Sequence, residues 1–338
     1  MIRALRCVLL WPDFFRREEE RRTFGMKTNI KHGLWFSVWC GGTRELEPDS
    51  AILPGMARKP RIAIIGAGKV GGALAVSLRR AGYSIDAIVT RPGGFSFRRA
   101  SRLARQVGSR AVISGARIKA EVIWFCVPDG EIASAAQSLA LLIRGQPTVA
   151  LHSSGLLSSD QLDVLRRSGA NVASVHPLMS FVPGSRPSLA GVSFAMEGDA
   201  AAVRMAKRIV KDLRGEPFVI RKKDKAAYHA WATFASPLLT ALLATTERVA
   251  VTAGVKAKIA RQRVMPIVSQ TVVNYATLGA SASFSGPFVR GDVKTIGQHL
   301  RALRRVPPAR DAYKALARAA LQYLPTKNRK ALSKFVKG

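Results

Sequence analysis

Short apolar runs alternate with stretches of helical periodicity between residues 61 and 222. The runs are rich in β-branched residues and too short for helices, which is typical of buried parallel strands. They predict eight strands, at residues 61–65, 84–89, 111–114, 121–127, 148–151, 171–175, 191–196 and 218–220. Helices are expected between most of them, and this alternation indicates a doubly wound α/β fold with a parallel sheet.

The pattern changes at about residue 222, where the strand signals stop. Long helical patterns follow at residues 223–253, 256–278, 292–304 and 309–323. A chain of 338 residues exceeds the size of most single cores, so we expect two domains. They are an α/β domain at residues 59–221 and an all-α domain at residues 222–338.

The N-terminal segment, residues 1–58, shows no sustained period and contains the mixed-charge run RREEERR. This composition predicts a poorly ordered extension. Met56 begins the sequence MARKPRIAIIGAG, which is a usual start for such an α/β domain. A misassigned start codon upstream of Met56 is therefore a further hypothesis.

The first predicted strand ends in the glycine motif G-x-G-x-x-G, and a helical pattern follows it. In this context Gly66 permits a tight turn, Gly68 lets the backbone approach a pyrophosphate, and Gly71 lets the helix pack on the strand. Free N–H groups at the helix N-terminus would hold the phosphates. The motif predicts a dinucleotide site, against the alternative of a glycine turn that serves only the fold. The remaining residues expected to contact the cofactor here are Ala67, Lys69 and Val70.

The end of the second predicted strand indicates which dinucleotide binds. NAD-binding domains usually place an acidic residue there, and NADP-binding domains offer Arg to the 2′-phosphate. This strand ends in Thr90 and Arg91, Arg98 and Arg99 follow, and Asp86 comes too early. The sequence therefore favours NADP(H), although these arginines could simply belong to a generally basic surface.

The fourth predicted strand ends in Val127-Pro128-Asp129, at the sheet edge where ligands bind in such folds. Pro128 lacks an N–H and fixes the turn, so this loop could lie flat against the cofactor. We expect Val127 and Pro128 to contact the cofactor without taking part in the chemistry. The alternative is a plain strand end with Asp129 capping the next helix.

Polar side chains follow the next two predicted strands, in LHSSG and VHPLMSF. A histidine at this edge, beside serine hydroxyls, can orient a carbonyl or imine and exchange its proton during hydride transfer. His176 with Ser153 or Ser154 is the candidate pair. Equally, His152 could be a structural histidine at the strand end, with both ring nitrogens hydrogen-bonded, and His176 could cap the turn at Pro177.

Five motifs together, GAGKVG, VPD, HSSG, HPLMSF and GPFVRGDVKTIGQHL, resemble those of a family of uncharacterised Rossmann-like proteins with a C-terminal helical domain of unknown function. Its members are usually described as NADP-dependent oxidoreductases. More distantly, the organisation is similar to pyrroline-5-carboxylate reductases, 6-phosphogluconate dehydrogenase-like enzymes and prephenate dehydrogenases. The last group uses a serine and a His-Pro histidine on its substrate, which implies such roles for Ser153 or Ser154 and His176.

The first long helical pattern carries further candidates. The lysine motif of hydroxyacid dehydrogenases, G-G-x-G-x-x-x-K, is absent, but Lys225 near Tyr228 and His229 could supply a different acid. Spacings of four and seven place Lys225, His229 and Ser236 near one helix face, expected to line a cleft between the domains. The family usually has Asn after this serine, whereas this chain has Pro237, which predicts a kink.

The segment GPFVRGD offers Arg290 for an anionic group of the substrate, with Asp292 as the N-cap of the following helix. Capping and loop packing explain the other residues of this segment equally well. The helical domain resembles domains that interlock into dimers, so a homodimer is expected.

Composition adds limits. The chain has 54 Lys and Arg against 21 Asp and Glu, a net charge of +33, yet these residues are scattered and aromatics are only 7%. This pattern favours a basic solvated surface over a dedicated nucleic-acid face. Three separated cysteines suit neither a disulfide framework nor a metal site, which indicates a reducing cytoplasm. No apolar stretch approaches the ~20 residues of a membrane span.

These observations predict an NADP-dependent oxidoreductase. It would move a hydride to or from a small, anionic carbonyl, imine or hydroxy compound held in the interdomain cleft. The alternative is a non-catalytic NADP-binding or redox-sensing module, because no complete catalytic motif is present. Nucleic-acid binding through the positive charge is a third hypothesis.

Overall fold

The computed structural model of the chain describes residues 58–144, 146, 148–185 and 187–336. The expectations for an N-terminal extension and an alternative start fall outside these residues. The described chain divides into two compact units after Lys225. The domain ranges expected from the sequence stay a prediction.

The first unit contains one eight-stranded sheet with the strand order β3-β2-β1-β4-β5-β6-β7-β8. All eight predicted strands are present, within a few residues of the expected bounds. The strands are β1 (Ile62–Ile65), β2 (Ile85–Thr90), β3 (Arg110–Ile113), β4 (Val122–Phe125), β5 (Val149–His152), β6 (Asn171–Pro177), β7 (Ser193–Gly198) and β8 (Glu216–Val219). The fold is therefore the doubly wound α/β class that the alternation predicted.

The sheet is mostly parallel, with one antiparallel pair that the sequence did not indicate. Strands β1 to β6 run parallel, but β7 pairs antiparallel with β6, and β8 is parallel to β7. Between two parallel strands the chain must return to the end of the sheet where the first strand began, and an α-helix usually makes that connection. The segment after Pro177 contains no helix in its described residues and brings Phe194 opposite Pro177. Strand β7 thus starts beside the C-terminal end of β6 and runs back along it.

Within the described residues, five α-helices connect the strands: α1 (Lys69–Arg80), α2 (Gly94–Val107), α3 (Ile132–Gln137), α4 (Asp163–Arg167) and α5 (Ala200–Asp212). They cover both faces of the sheet, since alternate strand residues enter two separate apolar clusters. Trp124 belongs to one cluster and its neighbour Phe125 to the other, and both are fully buried. Burial on both faces explains the continuous apolar runs in the sequence.

The second unit is helical, as predicted. Its helices are α6 (Lys225–Thr233), α7 (Leu239–Thr252), α8 (Ala257–Ser283), α9 (Pro287–Arg290), α10 (Val293–Ala302), α11 (Pro307–Tyr323) and α12 (Arg329–Val336). The sequence did not predict α9 and α12, which are short. The small core includes Ile296, Leu300, Leu321 and Leu332. None of the described helices combines the length and apolar character that crossing a membrane requires.

The single long helix expected at residues 223–253 is interrupted. A π-helical segment, Phe234–Leu238, separates α6 from α7 and contains Pro237. Proline removes an N–H and crowds the preceding turn, so a wider turn at this point accommodates it. The kink that Pro237 predicted therefore takes the form of a π-bulge.

Candidate active site

The glycine loop joins β1 to α1, and two of its glycines are required by the fold itself. Gly66 has a φ of +101°, and a Cβ there would lie 2.7 Å from the carbonyl oxygen of Cys126. A Cβ on Gly71 would lie only 2.0 Å from the carbonyl oxygen of Gly66. The loop therefore has the tight turn and the close helix packing expected from the motif.

Gly68 differs from these two. Its φ of −70° and ψ of −167° are open to any residue. A Cβ there would meet protein atoms no closer than 3.6 Å, which is ordinary contact. The N-terminal amides of α1 receive no side-chain cap from this position. Packing within the described protein thus gives no reason for glycine at 68, whereas close approach of a phosphate would.

Val127 and Pro128 lie beside this loop in different ways. The Val127 Cγ1 atom is 2.9 Å from where a Gly66 Cβ would be, so this side chain packs against the loop. Pro128 is exposed and precedes a short 3₁₀ turn, Asp129–Glu131. Both residues are where a cofactor-contacting edge was expected, and their contacts with a cofactor stay a prediction.

The arginines after β2 have different partners. The Arg91 guanidinium lies 2.8 Å from a carboxylate oxygen of Glu131, and Thr90 is buried at the strand end. Arg99 donates from Nε to the carbonyl oxygen of Ala67 in the glycine loop at 2.7 Å. Arg98 Nη1 instead lies over the first turn of its own helix, beside Gly94. The sequence missed Glu131 as the partner of Arg91, since nothing local relates residues 40 positions apart.

The two serines that the sequence treated together are separated by the structure. Ser153 Oγ accepts a hydrogen bond from the Trp124 indole at 2.9 Å. Ser154 Oγ donates to Asp129 at 2.9 Å and accepts from the amides of Leu156 and Leu157. The Ser154 hydroxyl is therefore occupied in holding two loops together. The alternative role of Asp129 as a helix cap is wrong, because the N-cap of the next helix is Glu131 and no side chain caps that helix.

His152 is held as a neutral histidine. Its Nδ1 accepts from the Ser154 amide at 3.2 Å, so Nε2 carries the proton and donates to the Ser158 carbonyl at 3.0 Å. Burial, together with the nearby positive charges of Lys225 and His176, lowers the pKa of His152 to about 4, although the hydrogen bond to the Ser158 carbonyl opposes the shift. These contacts support the alternative that His152 is a satisfied strand-end residue.

Lys225 is the most unusual group at this edge. Its side chain is only 3% exposed, and its Nζ donates to Ser174 Oγ at 2.6 Å and to the Ser154 carbonyl at 3.2 Å. Burial lowers the pKa of Lys225 to about 8, while the negative charges of Glu197 and Asp129 oppose that shift. An amine with such a pKa can give up and regain a proton near neutral pH.

His176 lies within β6, which continues to Pro177. The expectation that this histidine sits in a turn after the strand is therefore wrong. Residues two apart in a strand share a face, with Cα atoms about 6.6 Å apart, so His176 follows Ser174 on the same face. Ser153 instead bonds Trp124, whose side chain enters the apolar cluster on the opposite face. The fold thus groups Lys225 and Ser174 on the strand face that also carries His176.

Two residues of this group escaped the sequence reasoning. Ser174 looked like part of an apolar strand, although its period-2 spacing from His176 could have indicated it. Glu197 is 4% exposed and accepts from the amide of Ser159 at 2.7 Å and its hydroxyl at 2.9 Å. Nothing in the sequence indicates Glu197, because only the antiparallel pairing of β7 places it opposite Ser174.

The helical unit holds the remaining candidates. His229 is half-buried one turn after Lys225 in α6, and Ser236 is half-buried in the π segment. Arg290 ends α9 and is exposed. Asp292 is confirmed as the N-cap of α10, accepting from the Thr295 amide at 3.0 Å. Among the described residues there is no cluster of side chains suited to a metal ion.

Two family models match consecutive parts of this chain. A Rossmann-like domain matches residues 48–177, and a domain of unknown function, DUF2520, matches residues 192–320. The two matches confirm the resemblance seen in the motifs, to Rossmann-like proteins with a C-terminal domain of unknown function. The second match begins at β7, so that family domain includes the last two strands of the sheet. No curated protein matches the sequence.

Solved structures share this fold. A Bacteroides fragilis protein described as a candidate NADP oxidoreductase is 20% identical with a TM-score of 0.62, covering 77% of this chain and 97% of that one. Protein TM1727 from Thermotoga maritima is 24% identical with a TM-score of 0.62, covering 82% of this chain and 100% of that one.

An imine reductase from Myxococcus stipitatus, in complex with NADP⁺, is 16% identical with a TM-score of 0.56, covering 82% of this chain and 100% of that one. A variant of that enzyme is in complex with NAD⁺. The structural neighbours therefore include oxidoreductases that bind either dinucleotide. At such low identity the likeness shows the fold.

Proposed function

We propose that this protein is an NADP-dependent oxidoreductase that moves a hydride to or from a small, anionic carbonyl, imine or hydroxy compound. The observation that carries the proposal is the buried Lys225, 2.6 Å from Ser174 Oγ. Strands β1, β4, β5 and β6 are parallel, so this lysine lies at the same sheet edge as the glycine loop. In such folds that edge is where cofactor and substrate meet.

The glycine loop fits a dinucleotide. Gly68 leaves room beside the uncapped amides of α1, and Arg99 is fixed to the loop through the Ala67 carbonyl. Arg91 and Thr90 lie at the end of β2, where NADP is distinguished from NAD. When bound, the nicotinamide ring supplies or accepts the hydride. The residues of the loop would bind the phosphates and orient the dinucleotide along the sheet edge.

Lys225 is the proposed acid and base. In the protonated state its Nζ already donates to Ser174 Oγ and the Ser154 carbonyl, which fixes the amine in one position. Reduction of a carbonyl requires a proton on the resulting oxygen, and an ammonium with a pKa of about 8 can deliver it. His176, on the same strand face as Ser174, is proposed to carry the proton or orient the substrate. Glu197 keeps a negative charge near the amine and so supports its protonated form.

The other sequence candidates enter the proposal as substrate-binding residues. Arg290 is exposed and its charge suits an anionic substrate group, and His229 and Ser236 offer polar contacts along the α6 segment. The role of orienting the reacting group, expected for Ser153 or Ser154, stays a prediction, because the Ser154 hydroxyl donates to Asp129 and the Ser153 hydroxyl accepts from Trp124. Placement of the substrate between the two domains stays an expectation from the sequence.

The first test is binding of NADPH to the full chain, measured by fluorescence and calorimetry, followed by NADPH oxidation with a panel of keto acids and cyclic imines. Lys225→Met should bind NADPH like the wild type and lose turnover at least ~100-fold. Lys222→Met is the matched control, because Lys222 is exposed and paired with Asp160 at 2.6 Å. For the wild type, turnover in the reduction direction should fall as pH rises above about 8.

Three outcomes would contradict parts of this proposal. Absence of NADPH binding would overturn the cofactor and the enzyme class together. Binding without turnover on any of the compounds would favour the non-catalytic NADP-binding module. Equal turnover by Lys225→Met and Lys222→Met would remove Lys225 from the chemistry.

We also propose that the protein is a homodimer through α7 and α8. Among the 27 residues of α8 only Ala260 is buried, although the helix carries apolar residues all round. Such a helix is normally covered by protein. Its exposed large apolar residues are Ile267, Val272, Val273, Tyr275 and Leu278, and those of α7 are Leu239, Leu242 and Val251.

Sedimentation of the full chain tests this association. Ile267→Lys should shift the protein towards monomer, because it places a charge in the proposed interface. Leu141→Lys is the matched control, since Leu141 is 85% exposed on the α/β unit. A wild-type monomer at micromolar concentration would refute the proposal.

A further inference from the structure

The ion pair between Arg91 and Glu131 connects the two strand ends on either side of the glycine loop. In the sheet, β1 lies between β2 and β4. Arg91 is the first residue after β2, and Glu131 ends the 3₁₀ turn that follows β4. Their side chains meet at 2.8 Å, so the pair joins the two neighbours of the strand that carries the loop.

The two partners are held unequally. The Glu131 side chain is 31% exposed and the Arg91 side chain 69%. Glu131 is also anchored through its backbone, since its amide donates to the Pro128 carbonyl at 2.8 Å and its carbonyl accepts from Ser134 Oγ at 3.1 Å. The backbone of Glu131 is therefore anchored, and the more exposed guanidinium is the partner that can move to another anion.

A carboxylate and a phosphate compete for the same guanidinium, because both accept its paired N–H groups. The 2′-phosphate of NADP would arrive at the end of β2 as a second anion for Arg91. NAD carries a hydroxyl at that place and cannot replace a carboxylate. Binding of NADP would then break the ion pair, and binding of NAD would leave Arg91 with Glu131.

We infer that Glu131 sets the cofactor preference by competing with the 2′-phosphate for Arg91. This assignment rests on the proposed function, in which NADP binds along the glycine loop. Glu131 lowers the affinity for NADP and leaves the affinity for NAD little changed. Glu131 thus competes with the 2′-phosphate for the arginine that is proposed to bind it.

The experiment measures dissociation constants of NADP⁺ and NAD⁺ by calorimetry for the full chain. Glu131→Gln should raise the preference for NADP⁺ over NAD⁺ by about fivefold, the size expected for loss of one partly exposed ion pair. The glutamine keeps a hydrogen-bond acceptor without the charge. The gain should shrink in high salt, because salt screens the pair that it replaces.

Glu121→Gln is the matched control. Glu121 lies before β4, at the opposite end of the strands, and pairs with Arg58 at side-chain exposures of 37% and 68%, close to the 31% and 69% of the pair above. Its carboxylate also accepts from the Arg61 amide at 2.7 Å, a hydrogen bond that glutamine can keep. The variant makes the same change in net charge, and its cofactor preference should equal that of the wild type. Arg91→Ala should lower the preference for NADP⁺, and adding Glu131→Gln to it should change nothing further.

Three results would overturn the inference. Glu131→Gln with an unchanged or lower preference for NADP⁺ would show that the carboxylate does not compete. The same gain in the Arg91→Ala background would show that Glu131 acts as a distant charge. Wild-type protein that binds neither dinucleotide would overturn the proposed function as well. Circular dichroism of each variant confirms that the compared proteins are folded.

Discussion

Replacing Gly68 by alanine should separate cofactor binding from folding. The backbone there has a φ of −70°, and the new Cβ would lie 3.6 Å from the Cys126 carbonyl and 3.7 Å from Arg99 Nη2. No neighbour has to move. Gly71→Ala is the opposite case, because its Cβ would lie 2.0 Å from the Gly66 carbonyl oxygen. The two variants add the same methyl group three residues apart.

The magnitudes follow from these distances. Alanine is a poorer N-cap than glycine, so Gly68→Ala should cost no more than about 1 kcal/mol of unfolding free energy. Gly71→Ala forces α1 away from β1 and should cost about 3 kcal/mol or more. The new methyl group would keep the phosphates away from two backbone amides. Each lost hydrogen bond contributes about 1.5 kcal/mol of binding free energy, so NADPH should bind Gly68→Ala about 100-fold more weakly.

Chemical denaturation gives the stabilities, and NADPH fluorescence titration gives the affinities, on the same preparations. The expected result is a Gly68→Ala protein that unfolds almost like the wild type and binds NADPH weakly. Gly72→Ala is a useful control, because a Cβ there meets nothing within 4 Å and the position lies inside α1. A Gly68→Ala protein with wild-type affinity would refute the assignment of this loop to the phosphates.

Three further predictions concern buried groups. Lys225→Met should raise the unfolding free energy by about 2 kcal/mol at pH 7. The gain should vanish as pH rises from about 8 towards 10.5, because the folded wild type then no longer holds a buried charge. Wild-type stability should fall by up to about 3 kcal/mol as pH drops from 6.5 to 4, since the unfolded state binds a proton that folded His152 does not; urea titrations should show a shallower fall for His152→Gln. Burial raises the pKa of Cys126 to about 12, so this thiol should resist alkylation at pH 8 until the protein is unfolded, as peptide mass spectrometry would detect; modification of the folded protein would contradict its burial.

The sequence was informative wherever a short segment decides its own structure. The eight strands could be recognised because burial on both faces demands unbroken apolar runs. Gly66 and Gly71 could be assigned because tight turns and close helix packing leave no room for a side chain. The cap at Asp292 was equally local, since its carboxylate reaches an amide only three residues away.

Other features depend on residues that are distant in the sequence. The pairing of Arg91 with Glu131 and the burial of Glu197 depend on strand order and on the reversed direction of β7. The roles of Ser153 and Ser154 could not be separated in the sequence. Successive side chains leave the end of β5 in different directions. Ser153 therefore accepts a hydrogen bond from Trp124, and Ser154 donates one to Asp129.

The sequence by itself determined the class of fold and the glycine loop, because strand burial and turn geometry are local constraints. Tertiary structure decided the burial, hydrogen bonds and pKa values of the side chains at the carboxyl ends of the strands. Burial lowers the pKa of Lys225, and the nearby negative charges of Glu197 and Asp129 oppose that shift. Desolvation and charge pairing depend on all neighbours in space, and most of those neighbours are distant along the chain, so the sequence pattern does not identify them.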